Sequence, residues 1–331
     1  KDGILEAKTH GAKIFNLSLE SQDHTFFDQF LNSKVEENSS LFIVAAGNSR
    51  NPKDLTHDSV NVYPALYGGK ERNNIITVAA YDKSKDSLAD FSNYGDRTVD
   101  LAAEGVCVAS MPWDNTTNHY TGTSFSTPLV TFLAGLLYSG GLTTPWDIKI
   151  RILAGTSYKP QLKDKIFSYG LLDISKSIRT VFEDSVVYQE NNSSPEKTVY
   201  GNIINTTFLY KPDYKSGFKY FEVNNIFKIN MLNELECSTN NDNCTRTIRY
   251  GSLRDDGDID FKEKKYFNLE NNLSSSSCSE QQNVLEFVES GKKNTLCIRL
   301  KNLKEIVFSH YGKSDLSHNK RYRLKYCPLK N

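Results

Sequence analysis

Charge of one sign is what this sequence most plainly lacks. Lys and Arg together number 40, and so do Asp and Glu, so no overall field draws the chain to nucleic acid or to an anionic membrane. The halves differ little: residues 1–184 hold 18 basic and 22 acidic side chains, leaving 22 and 18 for the remainder. Long hydrophobic runs are missing too. A membrane-spanning helix needs about 20 consecutive apolar residues, whereas the longest runs here, such as Leu41–Ala46, have the length of a strand. No transmembrane segment is expected. At Lys1 there is neither an initiator Met nor a basic-then-apolar leader, so an upstream segment is expected, and any signal peptide would lie in it.

Cysteine is scarce, six in 331 residues, and unevenly placed. Cys107 stands alone in the first half, while five lie between Cys237 and Cys327. No CxxC pair or Cys/His ladder occurs, which weighs against a metal site and for disulfides made in an oxidising compartment. A secreted or extracytoplasmic location is therefore expected.

What is present reads as two domains, because single cores seldom grow much beyond about 250 to 300 residues. Up to about residue 182, short apolar runs alternate with helical patterns, the signature of βαβ units on a largely parallel sheet. Lys13–Leu19, Leu41–Ala46, Ile75–Ala80 and Val99–Ala102 are the strand candidates. Helical spacing marks Phe26 to Val35, Thr127–Tyr138, Pro145–Leu153 and Asp173–Val181. The second domain, 183–331, contains a linker or loop at 191–195. It has short β-type runs: Asn202–Tyr210, Phe218–Met231, Asn283–Val288, Thr295–Leu300 and Ile306–His310. A small β-rich domain, arranged as a β-sandwich, is expected there.

The chemistry concentrates in Gly122-Thr123-Ser124-Phe125-Ser126-Thr127-Pro128. A turn glycine and small residues stand directly before an apolar helix, which puts Ser124 at a helix entrance. There the amides point outward and the dipole is positive, so an oxyanion is stabilised. Pro128 is tolerated because it is expected in the first helical turn, where its missing N–H is not needed. A serine that merely caps a helix looks the same locally.

With its flanks, this segment resembles the serine motif of the subtilase family, Gly-Thr-Ser-x-Ala/Ser-x-Pro. Other stretches match in the family's order. Lys13–Leu19 is similar to the substrate-lining strand, Leu41–Asn48 to the strand ending in the oxyanion asparagine, and Tyr63-Pro64-Ala65 to a Tyr-Pro-Ala/Gly segment. Asn74–Ala80 resembles the strand that follows it, Phe91-Ser92-Asn93-Tyr94-Gly95 the Phe-Ser-x-x-Gly stretch, and Tyr169–Asp173 the turn before the final helix. The resemblance implies a three-layer, parallel-sheet α/β domain, N-terminally incomplete, over residues 1–182. It implies a serine endopeptidase acting on peptides or proteins, with Ser124 the nucleophile and the Asn48 amide an oxyanion donor. By itself, Asn48 after Ala-Ala-Gly also reads as a strand-end turn residue.

The same resemblance places an extended peptide along Ser18, Leu19 and Glu20. Ala45, Ala46 and Gly47 wall the pocket for the side chain preceding the cut. Small walls suggest large hydrophobic side chains. Glu20 replaces the usual glycine; it reads either as a solvated carboxylate or as a selector of basic residues.

The family's aspartate, in Asp-Ser/Thr-Gly, and its histidine, in His-Gly-Thr, have no counterpart at the matching places. His10-Gly11-Ala12 mimics the second but directly precedes a strand, and His24, His57, His119, His310 and His318 fall elsewhere. These two residues are expected in the missing N-terminal segment, without which the supplied chain is expected to be inactive. The alternative is an inactive pseudoprotease, or a peptide-binding or surface interaction protein. No cofactor is needed for the chemistry; structural calcium is suggested by the resemblance alone, since no acidic loop here names ligands.

Overall fold

Strands buried on both faces form only in a sheet covered by helices, and every residue of Leu41–Ala45 and Ile75–Asp82 is buried. The computed structural model describes residues 2–25, 27–28, 39–111, 117–181, 183–190, 193–203, 208–211, 219–221, 226–237, 244–253, 259–266, 268–271, 284–289, 295–299 and 303–309. The helix expected from Phe26 to Val35 lies mostly outside these residues.

The first half runs α1 (Asp2–Thr9), β1 (Ile14–Leu17), β2 (Leu41–Ala45), β3 (Ile75–Asp82), β4 (Ser87–Leu88), β5 (Leu101–Glu104), β6 (Val108–Ser110) and β7 (Asn118–Tyr120). Then come α2 (Thr123–Ser139), α3 (Pro145–Gly155), β8 (Ser157–Tyr158), β9 (Gly170–Leu171) and α4 (Ile174–Arg179). Strands β1, β2, β3, β5 and β9 lie side by side in that order and parallel, with β4 folded back on β3. This is the expected α/β domain. Helix α2 buries Val130, Leu133, Ala134 and Leu137, the three-and-four spacing of one helical face.

The described residues divide into two units. One lies within Lys1–Leu153 and Lys159–Leu172, the other within Ala154–Tyr158 and Asp173–Gly312. Asp173 caps α4 by accepting the Lys176 amide at 2.9 Å.

The second unit adds β10 (Asp184–Tyr188), β11 (Lys197–Ile203), β12 (Phe208–Lys211), β13 (Lys219–Phe221), β14 (Ile226–Cys237) and β15 (Cys244–Leu253). It continues with β16 (Ile259–Tyr266), β17 (Asn268–Asn271), β18 (Val284–Glu289), β19 (Thr295–Arg299) and β20 (Leu303–Val307). Eight of these form one sheet, β16-β15-β14-β20-β10-β11-β18-β19, and β13-β12-β17 form another, antiparallel throughout. Strands β10 and β11 are antiparallel and pair Tyr188 with Lys197; of the loop expected at 191–195, residues 191–192 lie outside the described residues. Val186, Ile229, Ile248, Leu285, Ile298 and Ile306 belong to its core.

Within this unit an ion cluster is buried. Glu305 on β20 pairs with Lys176 of α4 and, at 3.2 Å, with Lys228 of β14. Lys228 also donates to Thr156 Oγ1 at 3.1 Å and to the Thr156 carbonyl.

Candidate active site

Strands β1 and β2 are adjacent and parallel, with Leu17 opposite Val44. Their continuations therefore carry Ser18–Glu20 and Ala45–Gly47 out side by side at the carboxyl edge of the sheet, where parallel sheets bind ligands. Gly122, with a positive φ of 149°, delivers the chain from β7 into α2; its amide donates to the Gly105 carbonyl at 2.8 Å. Ser124 thus sits half-buried in the first turn of α2, among amides that have no partner within the helix.

Helix α2 begins at Thr123, four residues earlier than the sequence reading placed it, so Pro128 falls in its second turn rather than its first. An ordinary residue there would donate its N–H to the carbonyl four residues back, that of Ser124. Proline cannot, and Ser18 Oγ donates to that carbonyl instead at 3.0 Å. Ser18 Oγ in turn accepts from Asn16 Nδ2 at 2.9 Å, and Asn16 Oδ1 accepts from Thr131 Oγ1 at 2.9 Å. The serine turn is thereby fixed to the end of β1. Ser124 Oγ donates weakly to the Ser18 carbonyl at 3.4 Å.

Asn48 faces the same turn. Its Oδ1 accepts the Thr123 amide at 2.9 Å and the Thr123 hydroxyl at 3.1 Å. An amide N–H can only donate, so the atom facing it must be the oxygen. The Asn48 side-chain NH2 is consequently turned away from Thr123, and among the described residues it meets no hydrogen-bond acceptor.

Ala45 and Ala46 are buried, and Gly47 has φ of 92°. A Cβ on Gly47 would overlap Glu20 Oε2 and lie 2.8 Å from Asn93 Nδ2. The Glu20 carboxylate therefore lies over the Gly47 turn while remaining solvent-exposed, and Leu19 is 47% exposed. Asn93, which the sequence reading did not single out, holds this turn: its Nδ2 donates to the Ala46 carbonyl at 3.0 Å and its amide to the Gly47 carbonyl at 3.1 Å. The only sequence signal for it was its place in the Phe91–Gly95 stretch.

The described histidines lie elsewhere. His10 Nδ1 contacts the Glu6 carbonyl at 2.9 Å, His24 pairs with Asp28 at 2.6 Å, and His57 faces Asp96 at 3.4 Å. None of the described histidines hydrogen-bonds Ser124 Oγ, and among the described residues that atom is engaged by the Ser18 carbonyl. Nor do three or more His, Cys, Asp or Glu side chains converge on a point that could hold a metal ion. The described helices include none long and apolar enough to cross a membrane.

A family model described as "Subtilase family" matches residues 1–170. The chain is 34% identical over 173 residues to a thermophilic serine proteinase of Bacillus sp. (strain AK1), covering 52% of this chain and 39% of that protein. It is 30% identical over 186 residues to subtilisin-like protease 1 of Plasmodium falciparum (isolate 3D7), covering 51% and 27%. To thermitase of Thermoactinomyces vulgaris it is 36% identical over 141 residues, covering 42% and 45%. The chain spans less than half the length of each of these relatives.

Proposed function

The chain belongs to the subtilase family of serine peptidases, and from that premise we propose that it is part of an endopeptidase in which Ser124 attacks the peptide carbonyl. The observation that carries this reading is the hold of Thr123 on Asn48: the Thr123 amide and hydroxyl both donate to Asn48 Oδ1 one residue before Ser124. In this reading the Asn48 NH2 and the Ser124 amide in the first turn of α2 serve as the oxyanion donors. Substrate lies extended along Ser18–Glu20, with the preceding side chain between there and Ala45–Gly47. Protein and peptide bonds are its substrates.

The general base and its aspartate come from a part of the protein outside residues 1–331. Among the described residues strand β1 ends the sheet, and Phe132 and Leu136 of α2 are exposed at 59% and 36%. That apolar helix face beside the terminal described strand suits docking of the remainder of the same catalytic domain. The second unit and its cysteines suit an extracytoplasmic protein: the β14–β15 register sets Cys237 opposite Cys244, the backbone arrangement from which a cross-strand disulfide forms.

Labelling the full-length protein with a fluorophosphonate tests the reading. Ser124 is the expected site, and the label is lost in Ser124→Ala. A second reading, a cleft that binds peptides without cutting them, is favoured by one observation: Ser124 Oγ is engaged by the Ser18 carbonyl rather than by a histidine. Peptide binding by the full-length protein without any labelling would select it.

A further inference from the structure

Asn230 stands in the middle of β14, in the second unit, and is 1% exposed. Among the described residues neither its Nδ2 nor its Oδ1 meets a hydrogen-bond partner. A carboxamide carries two donors and an accepting oxygen. Burying one with all of them unmet forfeits its hydration for nothing in return, which folded proteins rarely allow.

The sheet register shows what surrounds it. Asn230 is opposite Glu305 of β20 on one side and Arg249 of β15 on the other, and side chains so opposed share one face of an antiparallel sheet. Two residues back along β14, on the same face, Lys228 is opposite Val307 of β20, which is opposite Ser185 of β10. Ser185 is fully buried, and its Oγ has no partner among the described residues either. The alternate residues Val186, Ile229, Ile248 and Ile306 belong to the apolar core, so the polar ones are gathered on the opposite face. Thr156, which accepts from Lys228, and α4, whose Lys176 pairs with Glu305, lie against that face.

Charge and hydrogen-bond chemistry select what the patch holds. Lys176 and Lys228 are balanced by Glu305 and by Asp173, whose charge acts on Lys228, and Arg249 pairs with Glu263 at 3.3 Å. The balance gives an ion no advantage. The unmet groups include donors, Asn230 Nδ2 and Ser185 Oγ, and acceptors, Asn230 Oδ1 and the remaining lone pairs of the Glu305 carboxylate. A small molecule that both donates and accepts satisfies them, and buried water makes about three such bonds.

We propose that the polar face of β10, β20 and β14 is a buried water site, in which ordered water bridges Asn230, Ser185 and Glu305. Water held there also solvates the Lys176–Glu305–Lys228 cluster from the side that the protein leaves apolar at Val307.

The test compares the full chain with Asn230→Leu, which keeps the volume and removes the amide, and with Ser185→Ala. Water-deuteron magnetic relaxation dispersion counts the water molecules held inside each protein, and urea unfolding gives the midpoint. Both variants are expected to lose dispersion amplitude, and their midpoints to fall by about 0.3 M, because each removes an anchor of the bridging water. A dry patch predicts the reverse: removing an unmet polar atom raises the midpoint and leaves the amplitude as it was. Unchanged amplitude in the variants that fold, or a midpoint that rises in either, overturns the proposal. Ser185→Ala, the smaller change, decides the matter if Asn230→Leu does not fold. None of these readouts depends on peptidase activity.

Discussion

Ser18 Oγ donates to the Ser124 carbonyl at 3.0 Å, and it does so at the one carbonyl of α2 that Pro128 cannot serve. The proline removes a helical hydrogen bond; the neighbouring strand end replaces it. Ser18→Ala leaves the carbonyl without a partner and should cost about 1–2 kcal/mol of stability. Pro128→Ala restores an N–H four residues on, so the double variant Ser18→Ala/Pro128→Ala should lose markedly less than Ser18→Ala alone. Urea unfolding of the four proteins measures the coupling. Strict additivity would mean the two residues do not share that carbonyl.

Asn48 and Thr123 form the second such couple. If the Asn48 NH2 receives the oxyanion, Asn48→Ala in the full-length enzyme should lower kcat by about 10²–10³, a magnitude that itself comes from a subtilisin, with little change in KM. Thr123→Val removes the hydroxyl but keeps the amide, so one of two bonds orienting Asn48 remains. A loss nearer ~5-fold is expected there, the worth of about 1 kcal/mol. Equal losses from both substitutions would show that Thr123 does more than hold the asparagine.

Much of this arrangement was legible in the sequence because it depends on local pattern. Apolar runs of strand length gave β1, β2 and β3 to within two residues at each end, and Thr144-Pro145 marked the start of α3. The start of α2 was misplaced because proline is usually confined to a first turn; the compensating Ser18 bond joins residues 106 apart and leaves no local trace. Lys149 was unreadable for a related reason: a lysine between isoleucines looks like a solvated position, yet its side chain is fully buried and its ammonium lies 2.9 Å from Asp100 Oδ1. Strands β15 and β16 were missed because Arg249 and Lys262 interrupt their apolar alternation, although Arg249 is buried against Phe261 and pairs with Glu263 at 3.3 Å. Asn93 carried only a motif position, and its hold on Ala46 and Gly47 is a contact 46–47 residues away in the chain.

Glu20 changes the expectation for substrate. If Ala45 and Ala46 wall the substrate pocket as proposed, a long apolar stem fits against them, and the Glu20 carboxylate lies over Gly47 at the same turn. A lysine or arginine side chain satisfies both, its methylenes against the walls and its charge at the solvent-exposed rim. In the full-length enzyme, Glu20→Gln should reduce the kcat/KM for peptides with Lys or Arg before the cut, relative to Leu or Phe, by ~5- to 10-fold. The effect is modest because the carboxylate is hydrated. It should shrink further in 0.5 M NaCl. An unchanged ratio would leave Glu20 a surface carboxylate and the pocket simply apolar, without touching the assignment of Ser124.

The buried cluster of the second unit holds two ammonium groups and one carboxylate, with Asp173 acting on it from the cap of α4. Burial drives the Lys228 pKa down to about 8, the nearby Lys176 charge adds to the fall, and Glu305 opposes it. Glu305, although burial works against it, is held below the usual carboxylate value by Lys176 and Lys228. The two shifts act in opposite pH windows. A depressed carboxylate stabilises the fold above its unfolded pKa of about 4.3, and that contribution is lost as pH falls through the lower folded value. A depressed lysine destabilises the fold wherever it is charged, below about 8; the penalty is relieved as pH rises from there toward its unfolded value of about 10.4. Glu305→Gln strands two buried ammonium groups and should cost about 3–5 kcal/mol at pH 7. Lys228→Met leaves one lysine to one carboxylate and should cost less than ~1.5 kcal/mol, since a volume-conserving apolar replacement offsets the lost bonds to Thr156. Urea unfolding between pH 7 and pH 10 distinguishes the variants further: the unsubstituted chain should gain stability relative to Lys228→Met across that range. A constant difference would mean that Lys228 keeps its ordinary pKa inside the fold.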